Sequence, residues 1–376
     1  MRTGAALLLS LLLAIPAHAE GRNLQLAEFV AGAVRPVMEQ HGIPGMQVGL
    51  IAGGQTHTFE FGTASRKAGR PVTPDTLFES GSISKTFTVT LAAYAEITGR
   101  MSLSATVGTY IPELRDSPIG QVPLVDLATH TAGGFPLQIP EGVDLDAYFR
   151  SWTPAYKLGT MRTYANPSIG LLGLVTARAL NGEYQELVEK HVFVPLGLKH
   201  TFLDVPKSEA GNYARGYTQT DAPVRLSAGL LAMETYGVRT TAGDLLRFIA
   251  ANMGLRQPAD DLDRAIMRTH TGYYRVGAMT QDLIWEQYAD PVNLEDVIAM
   301  SLPRQALEPA PVHLMKPPEA PRPDVFINKT GSTRGFGAYV AFRPDKGLGV
   351  VLLANKFYPN EARVKLAWQL LEHLGR

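Results

Sequence analysis

A serine and a lysine three positions apart, Ser82 and Lys85, are the first residues in the chain whose types and spacing could do chemistry. On a helix, residues three apart lie on one face, so the lysine amine can contact the serine hydroxyl. A serine hydroxyl is a weak nucleophile until a base takes its proton, and a desolvated lysine with a depressed pKa can be that base. A Ser-x-x-Lys pattern is expected about once by chance in a chain of this length. The pair therefore predicts a nucleophile only where other residues support it.

A tyrosine and an asparagine, Tyr164 and Asn166, form a second candidate pair directly before a segment that starts with Pro167. A tyrosine that shares a proton with lysines can act as a general acid or base. The asparagine amide can donate to a substrate carbonyl and accept from a lysine. Asn166 would also be a good N-cap for the helix that follows, and both roles stay open.

The third candidate is the run of residues 329–332, Lys-Thr-Gly-Ser, at the end of a predicted strand. Lys329 offers a fixed positive charge for a substrate carboxylate, and the strand edge offers main-chain hydrogen bonds. Gly331 lets a substrate approach the backbone closely. A chance Lys-Thr-Gly occurs in roughly one chain in ten of this length. The three patterns together, each at an element boundary, favour acyl transfer to a serine.

Hydrophobic periodicity predicts the elements that must position these residues. Helices are predicted over 24–40, 82–99, 167–180, 186–193 and 361–374, and strands over 46–51, 57–61, 325–330, 336–342 and 349–354. Residues 203–241 predict a long, partly irregular loop. Strands at both ends with helices between them predict a mixed α/β fold, whose antiparallel sheet is built from the N- and C-terminal segments. We expect a single catalytic domain over 20–376, with an α/β lobe at about 20–80 and 310–376 and a mainly helical lobe inserted between.

The first nineteen residues have the pattern of a cleaved signal peptide. Arg2 precedes an apolar run over 5–15, and Ala17-His18-Ala19 is a small-x-small cleavage site. The apolar run is about half of the roughly 20 residues that a transmembrane helix needs. We expect export to the periplasm, with no membrane attachment after cleavage.

Charge and cysteine content exclude several classes of function. The 35 basic residues balance the 35 acidic residues, so there is no general attraction to nucleic acid or anionic lipid. The chain has no cysteine, which excludes disulfides, thiolate zinc sites and cysteine nucleophiles. No histidine pair has metal-ligand spacing. We expect no metal, no cofactor, small-molecule substrates and a monomer.

The joint set Ser82-x-x-Lys85, Tyr164-x-Asn166 and Lys329-x-Gly331 resembles the penicillin-recognising serine enzymes. The flanking residues resemble class C (AmpC-type) β-lactamases over essentially the whole chain after residue 19. The segments that carry this resemblance are 81–87, 127–134, 137–138, 164–173, 236–239, 329–342 and 355–363.

The resemblance implies the antiparallel sheet and helical lobe of that fold and a role for each matching residue. Ser82 would be acylated by the lactam carbonyl, while Lys85 and Tyr164 would handle protons. Tyr164 would also activate the deacylating water, and the backbone N–H groups of Ser82 and Ser332 would form the oxyanion hole. The implied substrate contacts are Gln138 and Asn166 at the acylamino side chain, Lys329, Thr330 and Asn360, with Arg363 near by, at the carboxylate, Gly331 and Ser332 along the strand, and Tyr236 on the loop that walls the side-chain pocket.

Three positions depart from the class C pattern. Residue 130 is His where Tyr is usual, and we favour a hydrogen-bonded structural histidine. Residue 334 is Arg where Gly or Asn is common, which could add positive charge at the rim of the site. The usual Gly directly before Trp285 is absent. None of these positions belongs to the implied chemistry, so they bear on substrate preference.

The resemblance predicts a β-lactamase that favours cephalosporins over penicillins and confers resistance to them. A D,D-peptidase, or penicillin-binding protein, shares the motif set but releases its penicilloyl ester slowly, and it is the main alternative. An α/β-hydrolase would need Gly-x-Ser-x-Gly, which Ser82 lacks. A serine esterase of the same fold generally lacks a proper Lys-Thr-Gly, and a non-catalytic sensor would normally be attached to a membrane.

Overall fold

A ten-stranded sheet, antiparallel at every pairing, organises the fold. The structure is a computed structural model that describes residues 17–256 and 260–375, so most of the predicted signal peptide, residues 1–16, lies outside the described residues. Within the described ranges, no helix has the length and apolar character that crossing a membrane requires.

The strands are Gly45–Ala52 (β1), Gln55–Ser65 (β2), Arg70–Pro71 (β3), Phe78–Glu79 (β4), Met161–Arg162 (β5), Gly216–Tyr217 (β6), Pro223–Val224 (β7), Arg239–Thr240 (β8), Gly272–Val276 (β9), Met279–Asp282 (β10), Glu286–Ala289 (β11), Ala310–Pro311 (β12), His313–Glu319 (β13), Val325–Ser332 (β14), Gly337–Arg343 (β15) and Leu348–Ala354 (β16). The order across the main sheet is β13-β9-β10-β11-β14-β15-β16-β1-β2-β3.

The α-helices of the described residues are Ala17–His41 (α1), Ser84–Ile97 (α2), Val107–Tyr110 (α3), Leu124–Ala128 (α4), Leu145–Ser151 (α5), Asn166–Ala179 (α6), Tyr184–Val188 (α7), Ala232–Thr235 (α8), Ala242–Asn252 (α9), Asp261–Arg268 (α10), Leu294–Ser301 (α11), Pro303–Leu307 (α12) and Asn360–Leu374 (α13). A 3-10 turn, Gly81–Ile83, precedes α2, and a π-helical turn, Glu189–Phe193, follows α7.

Helices cover both faces of the sheet because its central strands are buried on both sides. Along β16, Val350 and Leu352 pack in one cluster with Val30 of α1. The alternate residues Val351 and Leu353 pack in a second cluster that includes residues of α2, α6 and α9. Since successive side chains of a strand point to opposite faces, the sheet separates two hydrophobic cores.

The structure confirms the mixed α/β fold class and the antiparallel sheet flanked by helices. The two predicted N-terminal strands, the three C-terminal strands and the C-terminal helix lie within a few residues of their predicted bounds, whereas α1 begins seven residues before the predicted start at residue 24. The predicted extent of the sheet is too small, because β9, β10 and β11 join it from residues 272–289. Residues 279–282, Met-Thr-Gln-Asp, are all buried although three are polar. A strand of this composition lacks the apolar alternation that would have revealed it.

Candidate active site

A cavity of about 770 Å³ opens where the turn at residues 81–83, strand β14 and the start of α13 meet the segment between β6 and β8. Its lining consists of Ser82, Leu137, Gln138, Tyr164, Asn166, Gln219, Leu226, Ser227, Tyr236, Glu286, Leu302, Pro303, Leu307, Lys329, Thr330, Ser332, Thr333, Arg334, Phe357, Pro359, Asn360 and Glu361. The structure thus brings together residues that are as far apart in sequence as Ser82 and Asn360.

The turn that carries Ser82 is held tightly against the end of β14. Gly81 has a φ of +55°, and a Cβ atom placed on it would lie 2.3 Å from the Ser332 nitrogen. Only glycine fits such a conformation and such a contact. The backbone directly before Ser82 therefore packs closely against the end of β14.

Lys85 lies in the first turn of α2 with its amine directed at Ser82. The Nζ atom is 3.0 Å from Ser82 Oγ and 2.9 Å from the carbonyl oxygen of Thr235. The side chain is fully buried, and burial lowers the pKa of Lys85 to about 8. A lysine with this pKa is deprotonated in a useful fraction near neutral pH and can accept a proton from a serine.

Tyr164 lies between two lysines. Its ring centroid is 5.2 Å from Lys85 Nζ and 5.1 Å from Lys329 Nζ. Burial alone raises the pKa of Tyr164. The positive charges of Lys329 and Lys85 and a hydrogen bond with Ser82 outweigh burial, and they lower the pKa to about 8. Lys85 and Tyr164 therefore form a coupled proton-handling pair at the nucleophile.

A buried carboxylate, Glu286 of strand β11, lies close to two cations, Lys329 and Arg162. It lies 3.6 Å from Lys329 Nζ and 3.2 Å from an Arg162 nitrogen. Arg162 also donates to the Gln281 side chain at 2.7 Å. Neither Glu286 nor Arg162 was predicted as a site residue, because a single charged residue in a strand has no recognisable spacing. The only hint of Glu286 in the sequence was that the class C pattern is broken directly before its neighbour, Trp285.

His130 is hydrogen-bonded, as the sequence analysis predicted. The backbone N–H of Ala165 donates to its Nδ1 atom at 3.3 Å, and its ring lies 4.4 Å from the Tyr164 ring. Burial and the neighbouring charges of Arg162 and Lys85 hold the pKa of His130 well below its usual range. The residue is therefore a neutral support beneath Tyr164.

Asn166 has its side-chain oxygen buried and unpaired while it lines the cavity. The proposed N-cap role is wrong, because α6 begins at Asn166, its N-cap is Ala165, and no side chain caps it. The amide is left available to a bound molecule. The other predicted side chains that line the cavity are Gln138, Tyr236, Lys329, Thr330, Ser332 and Asn360.

Two of the predicted substrate contacts, Gly331 and Arg363, do not line the cavity. A Cβ atom on Gly331 would lie 2.0 Å from the Ser80 carbonyl oxygen, so the close approach there is to the chain's own backbone. The Arg363 guanidinium is fully buried and donates to the Gly331 carbonyl at 2.7 Å and to Ser332 Oγ at 2.9 Å. The structure therefore places Gly331 and Arg363 in contacts within the chain at the end of β14.

Across residues 17–256 and 260–375, no three histidine or acidic side chains are arranged to hold a metal ion. The chemistry that the cavity itself can support is a proton transfer from a serine hydroxyl to a lysine–tyrosine pair, beside a lysine charge that can bind an anion.

Comparison with known proteins gives a consistent result. Residues 30–375 match the Beta-lactamase family model. A β-lactamase of Pseudomonas fluorescens is 45% identical over 93% of this chain and 99% of its own. A solved β-lactamase/D-alanine carboxypeptidase from Pseudomonas syringae is 48% identical, with a TM-score of 0.91 over 93% of this chain and 99% of its own. A class C β-lactamase solved in complex with cefoxitin is 41% identical, with a TM-score of 0.91 over 94% of this chain and 99% of its own.

Proposed function

The chain belongs to the class C β-lactamases, hydrolases that act on β-lactams, and we propose that it opens the lactam ring through a covalent ester on Ser82. The observation that carries this mechanism is the 3.0 Å contact between Lys85 Nζ and Ser82 Oγ, because Ser82 lines the cavity together with Tyr164 and Lys329. No metal is required, because the nucleophile and its base are both side chains.

In the acylation step, Ser82 Oγ attacks the lactam carbonyl carbon while the Lys85–Tyr164 pair takes the hydroxyl proton. The lactam C–N bond breaks, the ring nitrogen receives the proton, and the carbonyl carbon stays bound to Ser82 as an ester. The backbone N–H groups of Ser82 and Ser332 are proposed to hold the oxyanion, which the packing of Gly81 against the Ser332 backbone supports.

In the deacylation step, Tyr164 takes a proton from water, the water oxygen attacks the ester, and Ser82 leaves with a proton. The lowered pKa of Tyr164, about 8, supports this base role because tyrosinate is then accessible near neutral pH. Each turnover adds one water across the lactam C–N bond and regenerates the serine.

The subsites follow from the positions of the lining residues. We propose that Lys329, Thr330 and Asn360 hold the substrate carboxylate, and that Gln138, Asn166 and Tyr236 contact the acylamino side chain; all six line the cavity. The cavity of about 770 Å³ is open enough for the two ring substituents of a cephalosporin, which supports cephalosporins as the preferred substrates.

The test is turnover of a chromogenic cephalosporin by the purified protein and by Ser82→Ala. We expect steady hydrolysis by the wild type, an acyl adduct on Ser82 in its intact mass, and neither in the variant. No turnover by the wild type, or equal turnover by both proteins, would refute the proposal.

A D-alanine carboxypeptidase is the second candidate, because the Pseudomonas syringae relative carries that name beside β-lactamase. The two activities share acylation and differ in how fast the penicilloyl ester is released. Intact-mass spectrometry of a penicillin reaction separates them. An adduct that clears within seconds supports the β-lactamase, and one that persists while a peptide ending in D-Ala-D-Ala is cleaved supports the carboxypeptidase.

We also propose export to the periplasm after cleavage following Ala19, where the enzyme confers β-lactam resistance as a monomer. The charged, apolar and small-residue order of residues 1–19 supports export. The proposed nucleophile and subsite residues all line the cavity of a single chain, so the proposed chemistry needs no residue from a second copy. A periplasmic protein whose mass begins at Glu20 is the expected finding. A retained N-terminus in that fraction would contradict it.

A further inference from the structure

A tight turn at residues 333–336 joins β14 to β15 at the rim of the cavity. The Thr333 N–H donates to the Phe336 carbonyl at 3.1 Å, which closes the turn. The Thr333 hydroxyl donates to the buried Glu79 carboxylate at 2.5 Å. Glu79 also accepts the Leu226 N–H at 2.8 Å, so the same carboxylate ties the turn to the cavity wall.

The other half of the turn is packed against the short strands β6 and β7. A Cβ atom on Gly335 would lie 2.5 Å from Val224 Cγ1 and 3.1 Å from the Gly216 Cα. The Tyr217 N–H donates to the Gly335 carbonyl at 3.2 Å. The backbone of Arg334 is therefore held on both sides, which fixes the point at the cavity rim from which its side chain extends.

Arg334 carries an unneutralised charge. Four charged side chains line the cavity, and three have an opposite charge within 4 Å: Lys329 and Glu286 pair at 3.6 Å, and Glu361 pairs with Lys365 at 2.6 Å. Arg334 alone of these four has no acidic partner among the described residues, and it is exposed. An exposed cation at the rim of a cavity attracts anionic groups of a ligand that enters it.

The turn abuts the segment that continues into the wall residues Gln219, Leu226 and Ser227. Tyr236, proposed above as a contact of the acylamino substituent, belongs to the same segment, so the inference rests on the proposed function. We propose that Arg334 is a specificity-determining residue that favours β-lactams whose acylamino side chain bears a second negative charge. The ring carboxylate common to all substrates is left to Lys329, which is deeper in the cavity and almost fully buried.

An exposed charge contact of this kind changes rates modestly, by roughly two- to five-fold. The effect should weaken in salt, since about 1 M salt screens exposed charges beyond some 3 Å. The modest size of the effect and its loss in salt distinguish selection by charge from a change in cavity shape.

The experiment compares benzylpenicillin with its α-carboxy derivative, which differs by one carboxylate on the side chain. We expect Arg334→Gln to lower the ratio of kcat/KM for the dianionic over the monoanionic substrate by roughly two- to five-fold, and Arg334→Lys to retain most of it. The matched control is Arg275→Gln, which removes the same charge from an exposed arginine of β9 that does not line the cavity, and it should leave the ratio unchanged.

An equal loss for both substrates would assign Arg334 to the common ring carboxylate and overturn the inference, as would an unchanged ratio. Either result would leave the β-lactamase function standing as long as the wild type turns over benzylpenicillin. A wild type that acts on neither penicillin nor the chromogenic cephalosporin would overturn the proposed function itself.

Discussion

Lys85 donates to the backbone carbonyl of Thr235 at 2.9 Å, so the long loop over 203–241 supports the base beside the nucleophile. The same loop binds the turn around Ser82 through Val238. Its N–H donates to Ser84 Oγ at 3.0 Å, and its carbonyl accepts from Ser80 Oγ at 3.0 Å. The loop that walls the cavity is thus also part of the scaffold of the reacting residues.

Removal of the Lys85 amine should stop acylation without unfolding the protein. In Lys85→Met we expect the rate of adduct formation to fall by about 10²- to 10⁴-fold, the usual range for loss of a general base. Stability should be unchanged or higher, because burial of a charge is costly and Met fills similar space. Quenched-flow mass spectrometry and thermal unfolding measure the two effects. Acylation at the wild-type rate would contradict the proton-transfer role.

The pKa of Tyr164 should respond in opposite directions to two charge removals. Lys329→Met removes a positive charge that favours tyrosinate, so the pKa should rise above about 8. Glu286→Gln removes a negative charge that disfavours tyrosinate, so the pKa should fall below about 8. Because activity that depends on tyrosinate appears as pH rises through this pKa, the rising limb moves to higher pH in the first variant and to lower pH in the second.

Ultraviolet titration of tyrosinate in the free enzyme gives these pKa values without substrate binding, with Tyr164→Phe to identify the signal. Shifts in the same direction, or a titration that Tyr164→Phe leaves intact, would refute the electrostatic account. The acylation rate as a function of pH then checks that the same ionisation controls catalysis.

The sequence was sufficient to predict the site residues that belong to a motif of fixed spacing and the strands that are uniformly apolar. Ser82, Lys85, Tyr164 and Lys329 were all identified: Ser82, Tyr164 and Lys329 line one cavity, and Lys85 contacts Ser82. Strands β14 to β16 were found as three apolar runs. Such a motif can be recognised in the sequence because residues that act together on one helical turn have a fixed spacing.

Other features could not be predicted, because they depend on partners distant in sequence. Glu286 reaches the site only because β11 pairs with β14, which places Glu286 opposite Asn328. Arg363 was expected near the substrate carboxylate because the class C resemblance implied it, yet carbonyl and hydroxyl oxygens at the end of β14 accept hydrogen bonds from its guanidinium. Gly331 was expected to let a substrate approach the backbone, but a glycine does not reveal which group approaches it.

Gly331→Ala should displace the nucleophile. The added Cβ would lie 2.0 Å from the Ser80 carbonyl oxygen, a backbone atom that cannot rotate away. We expect a loss of about 1–3 kcal/mol in the free energy of unfolding and a larger proportional loss of kcat. Gly211→Ala is the matched control, because its Cβ would meet nothing within 4 Å. Circular dichroism and cephalosporin turnover measure both effects, and wild-type activity in Gly331→Ala would contradict the close contact.

A buried carboxyl that does not line the cavity, Asp282 at the end of β10, should make stability depend on pH. Both of its oxygens are buried without a hydrogen-bond partner among the described residues. Burial, with the charge of Glu319, raises the pKa of Asp282 well above its usual value. The folded protein therefore keeps this carboxyl protonated at pH values where the unfolded chain has lost the proton.

The direction in which stability changes with pH follows from the number of protons that the folded and unfolded states bind. Below the unfolded-state pKa of about 3.9 both states hold the proton and Asp282 contributes no pH dependence. Above it the unfolded chain binds fewer protons, so the free energy of unfolding falls by about 1.4 kcal/mol per pH unit until the folded-state pKa is passed. Asp282→Asn removes this ionisation, so the stability of the variant relative to the wild type should increase as pH rises from about 4.5. Urea unfolding of both proteins at several pH values measures the difference, and a difference that stays constant with pH would show that Asp282 is ionised in the fold.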